Sequence, residues 1–296
     1  MKLLLFNNIT IIKYIMSKQL ILIDTSYTSF YRFFATLRWI SLAEPDDYKK
    51  YKNDNTYDWS QNKIFMDKYK KMYLESIIKL VKKKCFNNSI VIFCMDSPRK
   101  TLWRNDISEN YKSDRIDLSL KNNFKPTFEY TYDKLIPDII KDNKNIYKLK
   151  IEHTEADDII ASITMYLKDK NPEQIIQIVS GDTDFLQLGR KNVKFINYKT
   201  KVYNEIDEKE AFKLLNDKLI LGDKSDNIPS IFPIDKKISI NKRKEILNNT
   251  KLFNEYLSEN PKMKKQYEVN QRMIDFNFIP KKYYDKIIKE YDKNNY

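Results

Sequence analysis

Residues 175–182 have the sequence IIQIVSGD, an apolar run that ends in a glycine and an acid. The segments LILID at residues 20–24 and IVIFCMD at residues 90–96 have the same form. Short apolar runs without regular polar alternation predict strands that are buried on both faces. The three runs therefore predict a sheet at the centre of the molecule.

Helical patterns separate the predicted strands. The clearest is the Lys-rich segment 63–84, whose apolar side chains recur at helical spacing, namely Tyr69, Tyr73, Ile77 and Leu80. Strands that alternate with helices are typical of a parallel α/β sheet. Ligands of such sheets bind beyond the carboxyl ends of the strands, so we expect Asp24, Asp96 and Asp182 to converge there.

The pattern also suggests how the chain is divided. A weaker strand at residues 193–198 closes the α/β domain, and a helical pattern begins at residues 207–215. We expect an N-terminal extension over residues 1–18, an α/β domain over 19–205 and a smaller helical domain over 206–296. Translation from Met16 would remove most of the extension. Residues 44–59, rich in Asp, Lys, Asn and Tyr, predict an insertion or long loop.

The net charge of the chain indicates which kind of molecule it binds. The chain has 54 Lys and Arg residues against 41 Asp and Glu, a net charge of +13, which favours a polyanion such as nucleic acid. A biased amino-acid composition is the alternative explanation, because Lys, Asn, Ile and Tyr are abundant throughout. The two cysteines, Cys85 and Cys94, have neither zinc nor disulfide-framework spacing. Together with the lack of a long apolar run, this predicts a soluble intracellular protein that does not insert into membranes.

Glycine is scarce, and two of the three glycines precede an aspartate. In Ser180-Gly181-Asp182-Thr183-Asp184, a tight turn at Gly181 would point both acids into one site. An ordinary polar turn would explain this motif alone, but several acidic motifs follow the same arrangement.

Two further acidic motifs lie on either side of this one in the sequence. In Thr154-Glu155-Ala156-Asp157-Asp158, Thr154 could cap a helix whose first-turn acids the helix dipole favours. Glu155 and Asp158 share a helix face with Ile159 and Ile163, so part of this charge should point inward and need a counter-ion. In the segment 221–229, LGDKSDNIP, two acids lie three residues apart around a turn.

The candidate metal ligands form one oxygen-only set: Asp24, Asp96, Glu155, Asp157, Asp158, Asp182, Asp184, Asp223 and Asp226. Oxygen ligands suit Mg²⁺ or Mn²⁺ better than zinc. The single histidine, His153, fits the same conclusion, and we interpret it as a structural residue.

These motifs resemble, in order and spacing, those of the 5′-3′ exonuclease and flap endonuclease family. The resemblance covers roughly residues 20–244 and implies a PIN-like parallel-sheet nuclease core with a helical arch, followed by a helix-two-turn-helix domain. It implies two metal ions, Mg²⁺ or Mn²⁺, in one site. The first would be held or surrounded by Asp24, Asp96, Glu155, Asp157 and Asp182, and the second by Asp184, Asp223 and Asp226. Asp158 could act with either ion.

The segments 96–104 and 111–115 resemble the family's arch, through which a free 5′ strand passes. By this match Lys112 contacts the scissile phosphate, while Arg104 and Arg115 steer the backbone, and Arg32 has a similar role. Trp103 and Tyr111 would offer stacking faces to unpaired bases. A solvated surface charge is the alternative for each single Lys or Arg.

After Pro229 the sequence departs from the family pattern, whose glycine-rich hairpin grips duplex phosphates through backbone amides. Basic residues follow instead and could hold the duplex electrostatically, namely Lys236, Lys237, Lys242, Arg243 and Lys244.

The expected activity is two-metal hydrolysis of DNA phosphodiesters at free 5′ ends or flaps, in replication or repair, by a monomer. The two ions would lie about 3.5 to 4 Å apart. Two alternatives remain open. One is a ribonuclease that acts on RNA 5′ ends or primers, and the other is an inactive nucleic-acid-binding scaffold of the same fold.

Overall fold

The computed structural model describes residues 19–113, 123–232 and 249–294. A six-stranded sheet lies at its centre, in the order β3-β2-β1-β4-β5-β6. The strands are β1 (Gln19–Asp24), β2 (Ser89–Met95), β3 (Ile146–Lys150), β4 (Ile176–Ser180), β5 (Val193–Asn197) and β6 (Tyr203–Asn204). β1 to β5 are parallel and β6 pairs antiparallel with β5. The predicted α/β class with a parallel sheet is confirmed.

Helices cover both faces of the sheet. They are α1 (Thr25–Ala43), α2 (Pro45–Tyr51), α3 (Lys63–Val81), α4 (Lys83–Asn87), α5 (Lys125–Tyr130), α6 (Ile136–Asp142), α7 (Ala156–Lys170), α8 (Glu208–Leu221), α9 (Thr250–Glu259), α10 (Pro261–Ile274) and α11 (Lys281–Lys293). Short 3₁₀ helices occur at Trp59–Gln61, Arg99–Thr101, Trp103–Asp106, Asp184–Leu188, Lys224–Asp226 and Phe276–Phe278, and a π-helical turn at Thr131–Leu135.

The central strand β1 shows why the apolar runs fold as they do. Its side chains alternate between two hydrophobic cores: Leu20 and Leu22 pack with α7, and Ile21 and Ile23 pack with α1 and α3. All four are buried, because each face of a parallel sheet is covered by helices. The strand's carboxyl end then emerges at the edge of both cores, where Asp24 lies.

Two elements differ from the sequence prediction. β3 was missed because it is an edge strand whose two buried residues, Ile146 and Leu149, are separated by Tyr147 and Lys148, so that no continuous apolar run marks it. Residues 44–59 are not simply a loop: they contain α2, and Trp59 is buried against Tyr48 and Tyr57.

The helical C-terminal part of the chain shares its core with the α/β part. α8 begins at Glu208, capped by Asp207, and runs six residues beyond the predicted end at 215. Tyr283 and Ile287 of α11 belong to the same hydrophobic cluster as Ile159 on α7. This hydrophobic cluster therefore includes residues from both sides of the expected division near residue 205. Residues 1–18, with Met16, lie outside the described part of the chain.

Across the three described ranges, none of the helices combines the length and apolar character needed to cross a membrane.

We predict that Ile287→Ala lowers the free energy of unfolding by about 2–5 kcal/mol, because it leaves a cavity between α11 and α7. Ile287 is fully buried, whereas Leu42 is 77% exposed, so Leu42→Ala is the control and should change stability little. Urea denaturation of both variants measures the difference. Equal stabilities would show that α11 does not contribute to the main core.

Candidate metal centre

Asp24 is fixed by the strand that precedes it and the helix that follows. It ends β1 and caps α1, where one carboxylate oxygen accepts the Tyr27 backbone N–H at 2.9 Å. The other oxygen accepts the Ser180 hydroxyl from the end of β4 at 2.8 Å. Asp24 is buried, so its orientation is set by the sheet and by the start of α1.

Asp96 lies one residue beyond β2, at the N-terminus of α7. Its Oδ1 accepts the backbone N–H of Ala156 at 2.6 Å, and the helix dipole favours a negative charge at this place. Its Oδ2 accepts a hydrogen bond from the Ser26 hydroxyl, which also lies 2.8 Å from the Tyr132 hydroxyl. The sequence analysis missed Ser26 and Tyr132.

The first group of acids consists of Asp24, Asp96, Asp157 and Asp182. Asp157 is in the first turn of α7, and the exposed Asp182 follows β4. Among the described residues, none of the four forms an ion pair with a Lys or Arg. The predicted convergence at the carboxyl ends of the strands thus produces a cluster of like charges.

The pKa values of three of these acids are raised by burial and by the neighbouring negative charges. Burial, and next the charge of Asp96, raise the pKa of Asp24 to about 7. Burial and the charge of Asp182 raise the pKa of Asp157 well above its ordinary value. Burial and Glu155 raise the pKa of Asp96. The protein alone therefore disfavours the ionised forms of these acids, and a bound cation would favour them.

Glu155 has the opposite environment. It is buried, and it receives Lys112 Nζ at 2.5 Å, Tyr111 Oη at 2.8 Å and Arg104 Nη1 at 2.9 Å. Burial acts to raise the pKa of Glu155, but the charges of Lys112 and Arg104 outweigh it and lower the pKa to about 2. Glu155 is therefore already neutralised by protein cations.

Asp158 is enclosed by protein donors, which does not fit the prediction that it binds a metal. Its side chain is wholly buried. The carboxylate accepts hydrogen bonds from Trp103 Nε1 at 3.0 Å, the Glu155 backbone N–H at 2.9 Å and Arg104 Nη1 at 3.1 Å, and Arg104 Nη2 forms an ion pair with it at 2.8 Å. Glu155, not Thr154, is the cap of α7. Asp158 thus anchors the start of that helix.

Three predicted nucleic-acid contacts are corrected by their burial. Trp103 and Tyr111 are each 5% exposed and Arg104 is 3% exposed, so neither ring offers a stacking face and Arg104 faces no solvent. Arg104 instead binds two carboxylates and donates Nε to the Met273 carbonyl at 3.0 Å, near the end of α10. The sequence shows aromatic and basic residue types but not their burial.

Lys112 lies in the second segment of the predicted arch, with its backbone in the left-handed region at φ of 55°. Its backbone N–H donates to the Asp226 carbonyl at 3.2 Å, and its Nζ lies 3.6 Å from the Asp226 carboxylate. Arg99 donates to the Lys112 carbonyl at 3.3 Å. Lys112 therefore bridges Glu155 and Asp226, and Asp226 lies on the Glu155 side of the site.

Asp184 and Asp223 share a cation that the sequence analysis missed. Lys218 on α8 contacts Asp184 and lies 2.7 Å from Asp223. Burial acts to raise the pKa of Asp223, but hydrogen bonds from Lys218 and Ser225 outweigh it and lower the pKa. The position of Lys218 in the last turn of a helix that leads to Gly222-Asp223 was the available signal.

The two aspartate-preceding glycines have different surroundings. Gly222 has φ of +73°, a conformation that favours glycine, and a Cβ there would meet the backbone of Ile228. Gly181 has no unusual φ, and a Cβ there would displace the ring of Tyr27. Arg32 contacts Tyr198 at 3.2 Å rather than any of the candidate acids. Arg115, Lys236, Lys237, Lys242 and Arg243 lie outside the described residues.

The donor set can be tested against a metal ion. Within the three described ranges, no group of three His, Cys, Asp or Glu side chains is arranged closely enough to enclose one. The four acids without ion pairs nevertheless present oxygen donors, and three of them have pKa values raised by burial and neighbouring charge. The negative charge of these acids, which no protein cation in the described residues neutralises, fits a hard divalent cation.

Comparisons with known proteins show the family and the fold. Residues 19–216 match a family described as 5′-3′ exonuclease, N-terminal resolvase-like domain. The chain is 33% identical over 188 residues to a 5′-3′ exonuclease of Mycoplasmopsis pulmonis, covering 61% of this chain and 57% of that protein. It therefore spans less than two thirds of that relative. A 5′-3′ exonuclease of Aquifex aeolicus is 29% identical over 215 residues, covering 68% and 69%.

A third relative is ribonuclease H of Enterobacteria phage T4, 27% identical over 173 residues, covering 58% of this chain and 56% of that protein. Among solved structures, the T5 protein co-crystallised with metal ions has a TM-score of 0.62 at 15% identity, covering 92% of this chain and 97% of that one. A T5 flap endonuclease variant in a pseudo-enzyme-product complex with DNA and metal ions has a TM-score of 0.58. At this identity the structures show a shared fold.

We predict that Arg104→Met lowers the free energy of unfolding by about 3–5 kcal/mol, because it leaves Glu155 and Asp158 buried without their shared cation. Lys100→Met is the control, because Lys100 is exposed four residues away. Urea denaturation compares the two variants. A cost below 1 kcal/mol for Arg104→Met would contradict the assigned role.

We also predict a pH-dependent effect of Asp24→Asn in EDTA. The folded-state pKa of Asp24, about 7, exceeds its ordinary value of 3.8, so its stabilising contribution is present at low pH and is lost as the pH rises through about 7. The variant should therefore gain stability relative to the wild type between pH 5 and pH 8. Urea denaturation across this range measures the gain, and a pH-independent difference would refute it.

Proposed function

Because the chain belongs to the 5′-3′ exonuclease family, we propose that it is a metal-dependent nuclease that hydrolyses DNA phosphodiesters at free 5′ ends or 5′ flaps. The observation that carries this proposal is the group of four unpaired carboxylates at the carboxyl edge of the sheet. Such a group requires a cation, and the net charge of +13 attracts nucleic acid to the protein.

Asp24, Asp96, Asp157 and Asp182 would hold the first divalent ion, Mg²⁺ or Mn²⁺. Asp184 and Asp223 would contribute to a second. Metal ions in such a site lower the pKa of bound water and offset charge on the leaving oxygen. The protein's own part is orientation: the Tyr27 backbone N–H and Ser180 hydroxyl fix Asp24.

Lys112 is the cation that we propose to face the scissile phosphate; it is 7% exposed in the free protein, so substrate binding must uncover its Nζ. Its Nζ is held between Glu155 and Asp226, so its position is set before substrate binds. A small cleft beside Asp182, lined in part by Phe185, Phe195 and Asn197, lies next to this acid. The product would carry a 5′-phosphate.

A second candidate is a ribonuclease acting on RNA 5′ ends or primers. It is favoured by the similarity to phage T4 ribonuclease H. The acidic centre itself does not distinguish the sugars, because the 2′-hydroxyl must be read by other contacts.

We predict that the purified chain cleaves 5′-flapped and 5′-ended DNA in Mg²⁺ and that EDTA abolishes cleavage. Asp182→Asn should reduce the rate by about 100-fold or more, because it removes a charge from the metal-binding group. Asp133→Asn alters an exposed acid in the π-helical turn and should leave the rate of cleavage unchanged. Gel mapping of end-labelled products measures all three.

The same assay separates the candidates when matched RNA and RNA-primed substrates are included. Faster cleavage of RNA would favour the ribonuclease. Salt-sensitive binding of DNA and RNA without cleavage in Mg²⁺ or Mn²⁺ would contradict both and indicate a binding scaffold.

A further inference from the structure

Lys218 connects two acids that come from separate parts of the chain. Asp184 begins the 3₁₀ helix that follows β4, and Asp223 follows α8. The Lys218 side chain is 24% exposed, and those of Asp184 and Asp223 are 18% and 12% exposed. The ion pairs are thus partly shielded from water. Charge interactions are stronger in such a shielded place than at an open surface.

The backbone holds Lys218 at this place. It lies in the last turn of α8, and its carbonyl accepts the Gly222 N–H at 2.9 Å as the helix ends. Leu219 and Ile220, the next two residues, are buried, and the Leu219 carbonyl accepts Asn270 Nδ2 at 2.8 Å. A cation near the C-terminus of a helix is also favoured by the helix dipole.

The two groups of acids therefore differ in what neutralises them. The group containing Asp24 and Asp157 forms no ion pair within the described residues, while Asp184 and Asp223 share an ammonium. An ammonium group and a divalent ion compete for the same carboxylate oxygens. The flexible four-carbon stem of lysine allows its head to move away while its backbone stays in place.

We propose that Lys218 is a built-in counter-ion that holds Asp184 and Asp223 together in the metal-free protein and must be displaced before a divalent cation binds them. This inference rests on the proposed function, because it assumes that both acids bind metal. Lys218 acts as a positioning residue that makes the second cation bind more weakly than the first. Occupancy of the second site would then depend on the divalent-ion concentration over a range in which the first site is already filled.

The test is to count bound Mn²⁺ per full-length chain by electron paramagnetic resonance of free Mn²⁺, without nucleic acid. The wild type should bind one Mn²⁺ tightly and a second more weakly. Lys218→Met keeps the length of the side chain without its charge, and it should tighten the second ion by about tenfold or more while leaving the first almost unchanged. Lys218→Arg should retain the weak second site.

The matched control is Lys213→Met, which removes one positive charge from an exposed position on the same helix and should leave both affinities as in the wild type. Thermal unfolding in EDTA checks folding, and Lys218→Met should unfold at a lower temperature because two carboxylates lose their counter-ion. In saturating Mn²⁺ this deficit should disappear.

The outcomes separate this inference from the proposed function. Normal binding of the first ion with an unchanged or weaker second ion in Lys218→Met would overturn the role of Lys218 alone. If Lys213→Met tightened binding of the second Mn²⁺ as much as Lys218→Met does, the effect would come from net charge alone. That result would also overturn the role of Lys218. Failure of the wild type to bind any Mn²⁺ would overturn both the inference and the metal-dependent function.

Discussion

The structure depends on one electrostatic constraint: several carboxylates are held close together at the carboxyl edge of a buried parallel sheet. Their positions follow from the strands, since Asp24 ends β1, Asp96 follows β2 and Asp182 follows β4. Burial and the charges of neighbouring acids oppose the ionisation of Asp24, Asp96 and Asp157. Holding these acids in place therefore makes the free energy of folding less favourable. The hydrophobic burial of β1, α7 and α11 must offset this loss.

The molecule meets this constraint in two ways. Arg104 and Lys112 neutralise the charges of three of the acids, Glu155, Asp158 and Asp226. These contacts connect the start of α7, the predicted arch and the end of α10. The remaining acids are oriented by hydroxyl and backbone donors such as Ser180 and the Ala156 N–H. Such neutral donors fix geometry without cancelling charge, and this leaves a place for cations.

The sequence predicted the parallel sheet and the convergence of its acids, because strand ends in such a sheet meet at one edge. It did not predict which acids would be neutralised. The pairing of Arg104 with Asp158, or Lys218 with Asp184, depends on packing between distant segments, and the burial of Trp103 and Tyr111 follows from the same contacts. β3 was missed because its two buried residues are not adjacent and form no apolar run. Family resemblance predicted the candidate acids, and only the structure separated those that form ion pairs from those that do not.

The central claim is that Asp24, Asp96, Asp157 and Asp182 form a cation-binding group that protein cations do not neutralise. Anomalous diffraction from crystals soaked in Mn²⁺ tests it most directly. The account predicts that the first ion to appear as the Mn²⁺ concentration rises lies among these four acids, with Lys112 still paired to Glu155. A first ion bound elsewhere, or no ion at this edge of the sheet at saturating Mn²⁺, would contradict it.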